Sequence, residues 1–230
     1  GIITAMEEFL GSGNEIVQSE HRKPVIVLMS DGAPSLGSTD FTDPGKDQNG
    51  GYDLGTGSGT SAALGFVSQL TASYAKAKIE EKYGTDALFY TLGLGIDAYD
   101  SVALSVMDPE NRNGSTAVDD FWNGIQTNRF GRVTFEGYNH IDAGETVSLG
   151  NNRYVTKIET PLEQNYVDRY FAASTGNLVQ VFKSIMSEIK LQSAYFPTLV
   201  SQSEDLSGYV SFVDRIGEYM EVTDIKGIII

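Results

Sequence analysis

Pro24-Val-Ile-Val-Leu-Met-Ser-Asp-Gly-Ala-Pro-Ser35 is the stretch that decides the fold. Val25 to Ser30 is almost wholly apolar and β-branched at its start, and a carboxylate and a glycine follow at once. A continuous apolar run of this length reads as a strand covered on both faces, the habit of a parallel sheet flanked by helices. Ligands of such sheets sit in the crevice outside the carboxyl ends of the strands. Asp31 falls at that edge, with Gly32 free to turn the backbone away and Pro34 stopping an immediate helix. A hard oxygen ligand there suits Mg²⁺ or Ca²⁺. The same carboxylate could instead serve a turn, bonding its own backbone two residues on. The sequence leaves both readings open.

Outward from this strand the alternation of an α/β fold is legible. Ile2, Met6, Phe9 and Leu10 share one helical face, and Gly11-Ser-Gly13 ends that segment. Ala63, Val67, Leu70 and Tyr74 repeat the spacing, followed by a charged end from Lys76 to Lys82 and then Gly84. Leu178, Val181, Phe182, Ile185 and Ile189 do so again, with Ser174 or Thr175 as the expected N-cap. A second apolar run, Ala87 to Leu92, gives another strand. The order helix, strand, helix, strand and later helix predicts a sheet between helices. These stripes are core; they locate a site without forming it.

Composition excludes several function classes. The chain has 230 residues, 16 basic against 31 acidic, and a net charge of −15. Nucleic-acid backbones and anionic membrane surfaces require clustered Lys and Arg, so neither is an expected partner. Cations and solubility are favoured. The absence of cysteine rules out disulfides, thiolate catalysis and Cys-ligated zinc. No apolar stretch approaches the roughly 18 residues of a membrane span, so direct insertion is not expected. The chain opens in mid-pattern on Gly1-Ile-Ile-Thr4, without a signal peptide or methionine, and reads as an internal fragment.

Two segments interrupt the alternation. Gly37 to Gly59 is a loop rich in Gly, Asp, Ser, Thr and Asn, long enough to require a functional or disorder explanation. Asp47, Asn49 and Asp53 hint at calcium, but the twelfth position from Asp47 is Ser58 rather than Glu, so the EF-hand spacing fails. The second interruption, from about Asp108 to Asn165, has β-hairpin character in Arg132-Val-Thr-Phe-Glu136 and Arg153-Tyr-Val-Thr-Lys-Ile158, with Gly150-Asn-Asn152 between two strands. It holds Phe121, Trp122, Phe130 and Tyr138, expected to pack the insertion onto the sheet rather than to form a recognition surface. After residue 190, Phe196-Pro-Thr-Leu-Val200, Gly208-Tyr-Val-Ser-Phe-Val213, Tyr219-Met-Glu-Val222 and Gly227-Ile-Ile-Ile230 read as short strands beginning a β-rich module.

Enzyme signatures are poorly served. Gly93-Leu-Gly95-Ile-Asp-Ala98 fits the dinucleotide pattern, ahead of a helix expected over Ser101–Met107, but that pattern belongs to the first βα unit of its fold, and the ribose-binding acid would fall in the insertion near Asp119. A glycine-lined strand end is the better reading. The two histidines, His21 and His140, sit in a charged turn and in the insertion, so a Ser-His-Asp triad has no natural place. Asp119 and Asp120 are sequence neighbours, expected on a solvated face rather than opposed across a substrate. The reading is non-enzymatic.

Ile26-Val-Leu-Met-Ser-Asp-Gly32, Phe89-Tyr-Thr-Leu-Gly-Leu-Gly95 and Tyr170-Phe-Ala-Ala-Ser-Thr-Gly-Asn-Leu-Val-Gln-Val-Phe-Lys-Ser-Ile-Met-Ser-Glu-Ile189 together resemble the von Willebrand factor type A domain, at its fourth strand, fifth strand and final helix. Gly1-Ile2 with Ala5-Met-Glu-Glu-Phe-Leu10 is similar to the helix after that family's threonine loop. The likeness covers roughly residues 1–190 apart from the insertion. That insertion, and the tail from Val213 to Ile228, look most like large surface proteins of Gram-positive bacteria.

The resemblance implies a doubly wound, mostly parallel α/β sheet of the type A or Rossmann-like kind over 1–190, with the insertion at about 108–165 and the β-rich segment over 191–230. It implies an extracellular, cell-wall or filament-associated module binding a protein ligand or neighbouring subunit through a divalent cation, Mg²⁺ or else Ca²⁺ or Mn²⁺. The family's cation is held by an Asp-x-Ser-x-Ser motif, a threonine and an aspartate after the fourth strand. Only the last maps here, onto Asp31; the motif is absent, the threonine would precede Gly1, and Thr4 lies inside the helix pattern. One carboxylate cannot hold Mg²⁺ usefully, because that ion sheds water reluctantly. An incomplete domain is therefore expected, one whose missing strands would leave an open sheet edge. The rival expectation is a metal-independent structural assembly subunit making its contacts through the insertion and the terminal strands.

Overall fold

The computed structural model describes residues 1–11, 23–42, 52–96, 99–110, 114–124, 126–128, 131–133 and 140–193, of which 126–128, 131–133 and 192–193 are described by backbone alone. The expectations placed on Gly13, His21, Asp47, Asn49, Phe130, Tyr138 and the strands after residue 195 lie outside the described residues. The chain divides into two compact units, Gly1–Ser187 and Glu188–Ile230.

In chain order the elements are α1 (Ile2–Leu10), β1 (Val25–Ser30), β2 (Leu36–Gly37), β3 (Leu54–Gly55), α2 (Ala62–Tyr83), β4 (Leu88–Leu94), α3 (Ser101–Met107), α4 (Thr116–Trp122), β5 (Gln126–Asn128), β6 (Gly131–Val133), β7 (His140–Ile141), β8 (Ser148–Gly150), β9 (Arg153–Tyr154), β10 (Leu162–Glu163), β11 (Arg169–Ala173) and α5 (Leu178–Ser193). The fold is mixed α/β. Its centre is a three-stranded parallel sheet in the order β1-β4-β11, flanked by helices and compatible with a Rossmann-like arrangement.

The strand that opened the sequence reading differs from its expectation in one respect. Six of the seven residues of β4 are buried, as a central parallel strand requires. On β1 only Ile26 is buried, while Val27 and Met29, pointing to the opposite face, are 41% and 51% exposed. The reason is position: among the described residues β1 is an edge strand, and one face alone is covered. That covered face meets Met6 of α1 and Ala72, Ala75 and Ile79 of α2, with Phe89 beside Ile26 in register.

Local chemistry explains the helices. Ser61 caps α2 by accepting the Leu64 N–H, and Gly84 ends it in the left-handed region at φ 62°, where a side chain would strain. Its late charges do specific work: Lys82 Nζ donates to the Phe9 and Gly11 carbonyls and Tyr83 OH to Phe9, satisfying the frayed end of α1. Asp100 caps α3 at the Ala103 N–H. Before α5, where Ser174 or Thr175 is the expected cap, the Asn177 carbonyl accepts the Val181 N–H and Asn177 Oδ1 accepts the Ser174 N–H.

The two interruptions pack together. Phe41 and Leu54 from the first join Val118, Trp122, Ile141, Val155, Ile158 and Leu162 from the second in one cluster over Leu64, Phe66 and Leu70 of α2. Trp122 is buried, edge-on to Phe66, and Phe121 stacks on the same ring, so these aromatics pack the insertion onto α2, where the sheet was the expected partner. The hairpin expected around Gly150 is β8–β9, with Asn151 and Asn152 both at positive φ, 51° and 60°. Such a turn matches the strand twist, and asparagine tolerates it better than other non-glycine residues.

The short helix α3 is fastened at its C-terminal end. The Ser105 carbonyl accepts Gln69 Nε2 at 2.6 Å, the Val106 carbonyl accepts Tyr166 OH, and the Met107 carbonyl accepts Thr91 Oγ1. Gln69 Oε1 in turn accepts the Trp122 indole N–H at 2.6 Å. Replacing Gln69 by leucine should orphan two buried groups, at a cost of about 1–3 kcal/mol each, measured as a lower urea midpoint with unchanged slope. Gly65 is a second test: a Cβ there would lie 2.9 Å from Val102 Cγ1 and 3.0 Å from Val118 Cγ2. Gly65→Ala is therefore expected to lower stability by about 1–3 kcal/mol through overpacking, despite alanine's better helix propensity. An unchanged or higher melting temperature would count against close α2–α3–α4 packing.

Candidate functional site

The parallel register brings three strand ends to one edge. Ser30 lies beside Gly93, and Ala172 and Ala173 lie beside Gly93 and Leu94. Beyond them come Asp31, Gly95 and Ser174. Gly95 turns at φ 66° and donates its N–H to the Ala173 carbonyl at 2.8 Å. That N–H is therefore committed to the sheet end, which fits a glycine-lined strand end better than a pyrophosphate cradle. Gly93 is small for a different reason: a Cβ would stand 2.6 Å from the Tyr170 hydroxyl.

Asp31 is exposed at this edge. The turn that its carboxylate could have served is made instead by Ser30, whose hydroxyl donates to the Gly32 carbonyl at 2.9 Å and accepts the Gly32 N–H at 3.4 Å. Among the described residues no hydrogen bond or ion pair engages the Asp31 carboxylate. The serine, which sequence reasoning treated as the last residue of an apolar run, is thus what leaves the aspartate uncommitted. The signal was present, since serine forms such turns as aspartate does, only more weakly.

Around Asp31 the other polar groups have structural tasks. Ser174 and Asn177 bond each other, and Asp100 is spent on the α3 cap. Asp53 accepts the Thr39 N–H at 2.9 and 3.0 Å as well as the Thr39 hydroxyl, tying the segment after β2 to the start of β3. The insertion bonds to that segment: Thr156 N–H donates to the Thr39 carbonyl at 2.9 Å, and Arg153 to the Asp53 carbonyl. Tyr99, at the same end of β4, is 95% exposed.

A divalent cation needs about six oxygen ligands. Among the described residues there is no group of three or more His, Asp or Glu side chains placed to hold one. Asp31 belongs to no such group. Clefts occur elsewhere. One of about 400 Å³ is lined by Gly1, Ile2, Thr4, Tyr52, Ser68 and Thr71, and another of about 270 Å³ by Ser73, Lys76, Glu80, Glu163 and Tyr166. Neither reaches Asp31. In the second, Lys76 is held by the Tyr166 carbonyl and by Asp168, both at 3.0 Å.

Perturbed ionisations fall within the insertion, just after it, and at Lys78 of α2. Burial raises the Tyr166 hydroxyl far above its ordinary value, and burial with the Asp108 charge raises Tyr170. Asp119, expected on a solvated face, is half-buried and accepts Gln164 Nε2 at 2.7 Å. Its carboxyl is raised chiefly by burial, against the lowering effect of Gln164, with the Asp120 charge adding to the rise. His140 is exposed, 3.5 Å from Asp142. Among the described residues no helix is long and apolar enough to cross a membrane.

No family model, no curated protein and no solved structure matches the chain.

Two outcomes are expected here. Asp31→Ala should change folding stability by no more than about 0.5 kcal/mol, as for an exposed side chain without partners, measured by urea unfolding. Asp119 has the opposite character. A carboxyl raised on folding stabilises most below its unfolded value and loses that contribution as pH rises through the folded one. Asp119→Asn should accordingly gain stability over the wild type as pH rises from 3 to 7, seen as diverging melting temperatures. A variant less stable by the same margin at every pH would show that burial is not what sets this carboxyl.

Proposed function

We propose that this chain is a non-enzymatic protein-binding module of a bacterial surface or fibre-forming protein, meeting its partner at the carboxyl edge of the parallel sheet around Asp31. The observation that carries this reading is the exposed Asp31 carboxylate, which has no partner among the described residues while Ser30 makes the turn. The strand ends beside it carry Ser30, Gly93, Leu94, Ala172 and Ala173. The doubly wound type A domain, the extracellular setting and the dependence on Mg²⁺, Ca²⁺ or Mn²⁺ belong to this reading on the strength of the quoted sequence resemblance alone. Of the ligands that resemblance implies, only the aspartate after the fourth strand maps onto this chain, at Asp31.

The second reading is a metal-independent assembly subunit. The observation favouring it is that β1, an edge strand among the described residues, exposes Val27 and Met29. Paramagnetic broadening by Mn²⁺ of the amide spectrum of the whole chain separates the two. Under the first, broadening should centre on Gly32, Gly95 and Ser174 in the wild type and disappear in Asp31→Ala. Broadening elsewhere, or unchanged by the substitution, would overturn the cation-centred reading and leave the assembly subunit.

A further inference from the structure

We draw no further inference here: the strongest candidate, the outer edge of β1 with Val27 and Met29 exposed on one face of the sheet, carries nothing because nothing in the structure shows what covers it.

Discussion

A helix that ends inside a protein must find partners for its last carbonyls, because water cannot reach them and an unpaired buried acceptor costs as much as a lost hydrogen bond. The C-terminal end of α3 meets this constraint in an unusual way. The Leu104 carbonyl is taken by the Asp108 N–H, and the next three by side chains from three separate parts of the chain. Gln69 comes from the middle of α2, Thr91 from the central strand, and Tyr166 from the segment leading to the last strand. One helix end thus joins the long helix, the sheet and the end of the insertion.

The rest of the packing follows from that joint. Gln69 can reach the Ser105 carbonyl only with its amide oriented so that Oε1 faces the Trp122 indole, so the same residue positions α4. Trp122 and Phe121 then press on Phe66, and the cluster they complete draws in Phe41 from the segment after β2 and Leu54 of β3. Gly65 permits the close approach of α2 to Val102 and Val118 that this arrangement needs. Behind Tyr166, Lys76 and Asp168 extend the connection to the sheet, Asp168 accepting the Phe89 N–H at 2.7 Å. The insertion is in this sense a buttress, bonded to the loop that leaves the Asp31 edge.

Much of this was legible residue by residue. Apolar period and end signals located α1, α2 and α5, α3 was expected only as the helix following Gly93 to Ala98, and two apolar runs located β1 and β4. Gly150-Asn-Asn152 announced its hairpin because few other residues tolerate positive φ in succession. What escaped notice were polar residues inside apolar patterns. Gln69 and Thr91 read as incidental members of a helix and a strand, although both are fully buried and each answers a carbonyl distant in sequence. Ser30 escaped for the same reason, and with it the competition that decides whether Asp31 is spent on a turn.

By itself the sequence determined the alternation of helix and strand, the placement of Asp31 after an apolar strand, and the turns whose backbone angles only certain residues accept. These are local matters, governed by period, side-chain shape and φ. The tertiary structure alone decided that β4 is the buried strand and β1 an edge among the described strands, that the two interruptions form a single cluster, and that Ser30 rather than Asp31 closes the turn. Each of these depends on which groups meet in space. A buried carbonyl or a covered sheet face selects its partner by distance and desolvation, and neither quantity is written in the order of residues.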